Sequence, residues 1–294
     1  MSQGAFPEED LQQPLSPWRH FFTNGLTGLA LALSAIAILP LFAILFQIVK
    51  EGLPGFNWQV FTSLPAPVGS DPSVPNGFAN AIVGTLTMVG LASLGSIPLG
   101  ILTGVFLSEF ARGSKIGGIL RFAIVVLSST PSVIVGVFSF GVLVLTTKQF
   151  SAVAGAFALG VIMLPIVALT TEEALKLIPM SYRLGSSALG GSRFDTVFRI
   201  VLPAAIAPIM TGILLAVARA AGETAPLMFT ALFSQFWQES LWSPTPALTV
   251  LIYNYASSPF PEQNSLAWTA SLVLIILVLI TSLLSRFVTR KRSN

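Results

Sequence analysis

The chain has no cysteine and a single histidine, His20. A disulfide or a thiolate metal site is therefore excluded, and a lone imidazole without clustered ligands does not make a metal centre. His20 borders an apolar run, where an interfacial position is expected. Charge is scarce as well: 9% of residues are Asp, Glu, Lys or Arg, against 53% hydrophobic. Mean hydropathy is +0.82. Such a composition excludes an ordinary soluble domain. No G-x-x-x-x-G-K-[ST] phosphate loop occurs, so the chain lacks the usual means of binding and hydrolysing ATP. A membrane-embedded enzyme finds no support either, because no cluster of carboxylates or metal ligands is present.

What is abundant is apolar sequence. Six segments approach the roughly 20 residues a bilayer requires: Leu26–Val49, Ile82–Leu107, Phe122–Leu145, Ala152–Leu169, Ala205–Phe229 and Leu266–Val288. Basic residues give the orientation. With the N-terminus inside, inner segments hold Arg19, Arg112, Lys115, Arg121, Lys176, Arg183, Arg193, Arg199, Arg286, Arg290, Lys291 and Arg292. Outer segments hold only Lys50 and Lys148, so both termini are expected in the cytoplasm. The basic balance follows from this asymmetry and gives no indication of nucleic acid. The first 20 residues, with Glu8, Glu9 and Asp10, read as a flexible cytoplasmic tail and not as a cleaved signal.

Arg219 lies inside the fifth apolar segment, with Glu223 four residues on. Burying either charge in hydrocarbon is costly, and a spacing of four puts both on one face of a helix. They are expected to line a substrate path or to form a structural ion pair. No other span shows an ion pair in its sequence. Arg219 lies about 14 residues into the segment, or roughly 21 Å at 1.5 Å per residue, which places it in the outer half. Pro226 deprives the Gly222 carbonyl of its usual donor, making Gly222 and Pro226 hinge candidates. In the third span Pro131 does the same beside Ser128, Ser129, Thr130 and Ser132, a hydroxyl cluster suited either to an anion or to its own helix backbone. Gly100 and Gly104 form a GxxxG, read as a packing contact.

Two outer segments and one inner loop complete the pattern. Lys50–Gly77 is expected to lie along the membrane surface with Trp58 and Phe61 at the interface. Ser234–Ser265 lacks Lys and Arg and is expected to form an outer cap facing a partner. The inner loop Thr171–Pro203 shows helical periodicity, with a helix expected near Ser181–Leu189 and a stop at Gly190 and Gly191. Such a helix suits docking into a groove of another protein, or serves as a plain connecting helix.

Within this loop Gly190, Ile200, Leu202 and Pro203 form G-x9-I-x-L-P, which resembles the signature of ABC importer permeases, EAA-x3-G-x9-I-x-L-P. The three leading positions hold Leu184, Gly185 and Ser186 instead of EAA. The run Arg219-Ala-Ala-Gly222-Glu223-Thr224-Ala-Pro226-Leu227, with Asn80-Ala-Ile-Val-Gly84-Thr85 upstream, resembles the PstA family of phosphate-specific importer permeases. The resemblance covers spans two to six. It implies an all-α, polytopic, type I (MetI-like) permease fold in the bacterial cytoplasmic membrane. Residues 21–80 would be the first helix and an outer interfacial segment, 81–288 a five-helix permease core with a cytoplasmic coupling loop at 171–203, and 289–294 a basic tail.

Inorganic phosphate is the implied substrate, with Arg219, Glu223, Thr224, Ser128, Ser129 and Thr130 along its path. A guanidinium offers planar paired donors for phosphate oxygens, and Glu223 would act as its counter-ion or as a gate. Ser181, Leu184, Gly185, Ser186, Gly190, Ile200, Leu202 and Pro203 would form the coupling loop. The implied partners are a homologous permease, PstC, two copies of the ATPase subunit PstB and a phosphate-binding protein, PstS, besides membrane lipid. The chain would carry no cofactor, ATP and Mg being held by PstB. A permease for sulfate or molybdate, or a secondary anion transporter, are the alternative readings.

Overall fold

The computed structural model describes residues 17–71 and 73–290. Residues 1–16 of the expected N-terminal tail, the His20 side chain and residues 291–294 of the basic tail lie outside what is described. Among the described residues the regular structure is helical throughout.

The first helix, α1 (Pro17–Gly52), carries Pro40 within it and is apolar and largely exposed from Phe21 to Val49. Up to Lys50 it forms a unit of its own. From Glu51 onward the chain makes a second unit, a helical bundle with a short 3-10 turn at Trp58–Phe61. In that turn Trp58 is exposed and Val60 buried.

The centre of the bundle is the pair α2 (Ala79–Val105) and α6 (Ala152–Lys176). Ser151 starts α6 by accepting the Ala154 N–H at 3.1 Å, an N-cap. The two helices approach through Gly100 and Gly104. A Cβ at Gly100 would sit 2.7 Å from Val167 Cβ, and one at Gly104 2.6 Å from Thr171 Cβ. Those distances make the GxxxG a close packing contact, because any side chain would hold the helices apart. Met88, Leu159, Met163, Val167, Ile209 and Leu227 fill the core around it.

Between α2 and α6 the chain turns through a π-helical turn, Phe106–Phe110, into α3 (Lys115–Ser129). Then come α4 (Ser132–Ser139), a second π-turn at Phe140–Val144, and α5 (Leu145–Thr147). The third span, expected as one helix over Phe122–Leu145, is instead sharply broken: Lys115–Ser129 and Ser132–Thr147 meet at 103°. Proline explains the break. Pro131 lacks the N–H that would bond to the Leu127 carbonyl, and it forces Thr130 into an extended conformation (φ −70°, ψ 129°).

After α6, α7 (Met180–Ala188) is followed by α8 (Arg193–Thr196), a π-turn at Val197–Val201, α9 (Leu202–Ala204) and α10 (Ile206–Ala221). Arg193–Ala204 and Ile206–Ala221 are bent by 68°. Here Pro208 removes the donor that the Ala204 carbonyl would use. The fifth span, expected to continue to Phe229, stops at Ala221. Gly222–Thr224 are non-helical and α11 (Ala225–Thr230) begins afresh, with Pro226 in its first turn, where a missing N–H costs nothing.

The segment Ser234–Ser265, expected as an outer cap, holds a buried helix. Its apolar run folds into α12 (Leu248–Ala256), which buries Leu248, Leu251 and Tyr255 against α13 (Pro261–Arg290) and Phe78. The run is too short to span a bilayer, but its apolar face is long enough to be drawn into the bundle. Among the described residues four helices are long and apolar enough to cross a membrane, or up to six if each bent pair counts as one span.

Candidate anion path and docking helix

Arg219 sits in the last turn of α10 and Glu223 in the break just beyond it. They still pair, Nε to Oε1 at 3.5 Å, although the helix no longer runs between them. The Arg219 side chain is 54% exposed and Glu223 only 14%. The contact is a single one through Nε, and the two terminal amino groups of Arg219 make no hydrogen bond among the described residues. The Glu223 carbonyl, freed by the helix break, accepts the Thr249 hydroxyl of α12 at 2.9 Å. Thr249 thus steadies the break, a role that local sequence could not disclose because it acts from 26 residues away.

Facing Arg219 is the broken third span. Ser128, Thr130 and Ser132 line a small recess with Arg219, Ile162 and Ile166. Ser129 and Thr130 both donate to the Val126 carbonyl, at 3.0 and 2.8 Å, so they are partly satisfied by their own helix. The Ser128 and Ser132 hydroxyls make no hydrogen bond among the described residues. The Thr224 carbonyl accepts the Leu227 and Met228 N–H groups and starts α11. The two proline breaks touch: a Cβ on Gly136 of α4 would lie 2.7 Å from Pro226 Cα. A shift in either broken element would therefore press on the other.

The opening of α2 grips the segment that follows α11. Asn80 Nδ2 donates to the Phe236 carbonyl at 3.1 Å, and Thr85 Oγ1 accepts the Leu248 N–H at 2.9 Å. Gly84 lies against the Pro246 carbonyl so closely that no side chain fits there.

At the far end of α6 lies the helix expected over Ser181–Leu189. It runs as α7 and ends in a Schellman motif. Gly190 adopts φ +80°, its N–H bonds to the Ser187 carbonyl at 3.0 Å, and the Gly191 N–H bonds to the Ser186 carbonyl at 2.9 Å. Ser186 faces inward, its hydroxyl 2.7 Å from that of Thr196. Ser181, Leu184 and Leu189 face outward, and Leu189 is 91% exposed. Gly185 has open space about it. Ile200 and Leu202 are half-buried and Pro203 is exposed, within the turn that leads into α10.

Further ion pairs lie just beyond the expected spans. Glu172, 1% exposed on α6, is held by Arg121 of α3 and by Lys176, whose Nζ lies 2.9 Å from it. Glu109, 8% exposed in the π-turn that directly continues α2, receives Arg183 of α7 on both oxygens, at 2.6 and 3.1 Å. Arg193 donates to the Glu109 carbonyl and stacks 5.2 Å over the Phe110 ring. Arg121–Glu172 and Arg183–Glu109 bridge 51 and 74 residues of sequence, beyond any helical spacing.

Residues 96–294 match the family described as binding-protein-dependent transport system inner membrane component. The chain belongs to that family. The phosphate transport system permease protein PstA of Haemophilus influenzae is 39% identical over 270 residues, covering 92% of this chain and 94% of its own. That of Yersinia pestis is 38% identical over 277 residues, covering 94% and 93%. A probable PstA of Methanocaldococcus jannaschii is 40% identical over 250 residues, covering 84% and 86%. Among solved structures, a chain of a bacterial alginate ABC transporter superposes with a TM-score of 0.67 at 15% identity, covering 95% of this chain and 98% of that one. A chain of the MetNI methionine ABC transporter gives 0.59 at 18% identity, covering 72% and 94%. At such identities these show the shared fold: a multi-pass ABC permease. The matched region of this permease contains both the Arg219 site and α7.

Proposed function

We propose that this chain is the permease subunit of an ATP-driven importer that moves inorganic phosphate across the bacterial cytoplasmic membrane. The observation that carries the substrate is Arg219: a permanent cation with its two terminal amino groups open, facing the hydroxyls of Ser128 and Ser132. Its long relatives, named for phosphate transport, support the same reading. The recess is too tight for a tetrahedral oxyanion as it stands, with about 10 Å³ open, room for no more than a water molecule. Phosphate would enter when the two proline-broken elements separate.

Glu223 neutralises Arg219 between transport events and lowers the cost of a cation within the membrane. It contacts only Nε, so it does not occupy the donors that a phosphate would use. The exposed side of Arg219 would face a second permease homologous to this one, of the PstC kind. Two ATPase subunits of the PstB kind would supply energy, binding ATP and Mg, with α7 as the coupling helix. A phosphate-binding protein of the PstS kind would deliver substrate on the outside, and both termini would lie in the cytoplasm.

The test is Arg219→Lys in the reconstituted importer. Lysine keeps the charge but loses the fork, so phosphate uptake should fall at least about tenfold while the complex still assembles. Unchanged phosphate uptake would reject the assignment. Uptake of sulfate or molybdate in place of phosphate by the wild-type importer would replace it with another oxyanion permease.

A further inference from the structure

We propose that Arg183 and Glu109 form a joint that makes the docking helix move as one piece with α2 and α6. The proposal rests on the importer reading above, but its structural half stands apart from the identity of the substrate.

Arg183 lies on α7, four residues into the helix, and is only 14% exposed. Its guanidinium makes four contacts. Nη2 and Nε donate to Glu109 Oε1 and Oε2 at 2.6 and 3.1 Å. Nη1 donates to the Ile178 carbonyl at 2.8 Å and Nη2 to the Leu175 carbonyl at 3.0 Å. Leu175 belongs to the last turn of α6, and Ile178 follows that helix end. Carbonyls at a helix C-terminus lack intrahelical donors, and a cation there is favoured by the helix dipole. One planar side chain therefore closes the end of α6 and clasps the π-turn that continues α2, from a third helix. No other side chain of α7 reaches α2 or α6 by a hydrogen bond among the described residues.

The remaining links of α7 run elsewhere. Ser186 bonds to Thr196, which ties α7 to α8 but not to α2 or α6. Met180, Leu184 and Leu189 are exposed and thus free to meet another protein. A pull on α7 by such a partner reaches α2 by way of Glu109. Arg193 braces the same point, donating to the Glu109 carbonyl and covering Phe110. Because α2 packs on α6 at the glycines Gly100 and Gly104, displacement at Glu109 would be carried into the core. Arg183 and Glu109 are thus positioning residues, acting through α7 and not by touching phosphate.

Glu109→Gln isolates the effect. It removes the charge that clasps Arg183 and leaves both carbonyl contacts at the end of α6 in place. Arg183→Lys is the second variant, since an ammonium cannot span the carboxylate and both carbonyls at once. In the reconstituted importer, Glu109→Gln should preserve the yield of assembled complex and its ATP hydrolysis. Phosphate moved per ATP hydrolysed should fall by about tenfold, through loss of a charge-assisted bidentate contact. A second reading needs no transport. Since the chain has no cysteine, Leu189→Cys can carry a single spin label at the end of α7 in the full-length chain in lipid nanodiscs. Label mobility should rise in both Glu109→Gln and Arg183→Lys backgrounds. Unaltered mobility in both, or an unaltered transport-to-ATP ratio in an assembled Glu109→Gln importer, overturns the joint. A wild-type importer that fails to move phosphate instead overturns the substrate, and leaves the mobility result standing.

Discussion

Arg219 can serve as an anion ligand because its terminal donors are not already taken. A bidentate carboxylate would have closed the fork, whereas Glu223 reaches only Nε, at 3.5 Å. The contrast with Glu109 is informative, since there both carboxylate oxygens are engaged by Arg183. One geometry leaves an arginine available and the other locks it. Glu223→Gln should therefore lower phosphate uptake only about fivefold or less, the scale of a weak, half-exposed ion pair. ATP hydrolysis should remain dependent on phosphate; hydrolysis that runs freely without it would mark Glu223 as a gate instead. Both charges were legible in the sequence, as costly residues within an apolar run. Thr249 was not, because a hydroxyl 26 residues away carries no sign that it will meet the Glu223 carbonyl.

At the level of elements, prolines and glycines decided the shape. Pro131, Pro208 and Pro226 each remove one backbone donor, and the helices break at each of them. The positions of two of these breaks could be read in advance, but not a bend of 103°, which depends on what α4 packs against. Gly136 against Pro226 supplies that contact. Glycines at the α2–α6 contact allow no side chain. Gly104→Val should destabilise the protein by about 1–3 kcal/mol through overpacking against Thr171, seen as a lower thermal-unfolding midpoint in detergent. An unchanged midpoint would mean that the two helices are not in close contact there. The run Ala247–Ala256 was expected in an outer cap, and it became a buried helix because its apolar face fits between α13 and the start of α2.

For the whole molecule, the exposed apolar surface is the dominant fact. Residues such as Phe122, Phe138 and Leu215 are exposed, as is the half-open Arg219. Lipid can cover the apolar side chains, but a guanidinium facing hydrocarbon alone would be costly. The proposed second permease would cover the exposed guanidinium. Co-expression with a homologous permease and an ATPase should accordingly give a stoichiometric complex on purification from mild detergent. Recovery of the chain alone, with ATPase and second permease both absent, would count against the assembly.

The sequence by itself determined which stretches could enter a bilayer, that Pro131 and Pro226 would each disturb a helix, and which charges lay among apolar residues. Those properties are local: hydropathy, a missing proline N–H and the spacing of neighbouring side chains are all written within a few turns. Only the tertiary structure decided that Glu109 meets Arg183, that Glu172 meets Arg121, and that the broken third span faces Arg219. Such contacts join residues tens of positions apart, and they exist because helix packing brings helix ends together, not because of any periodicity in the chain.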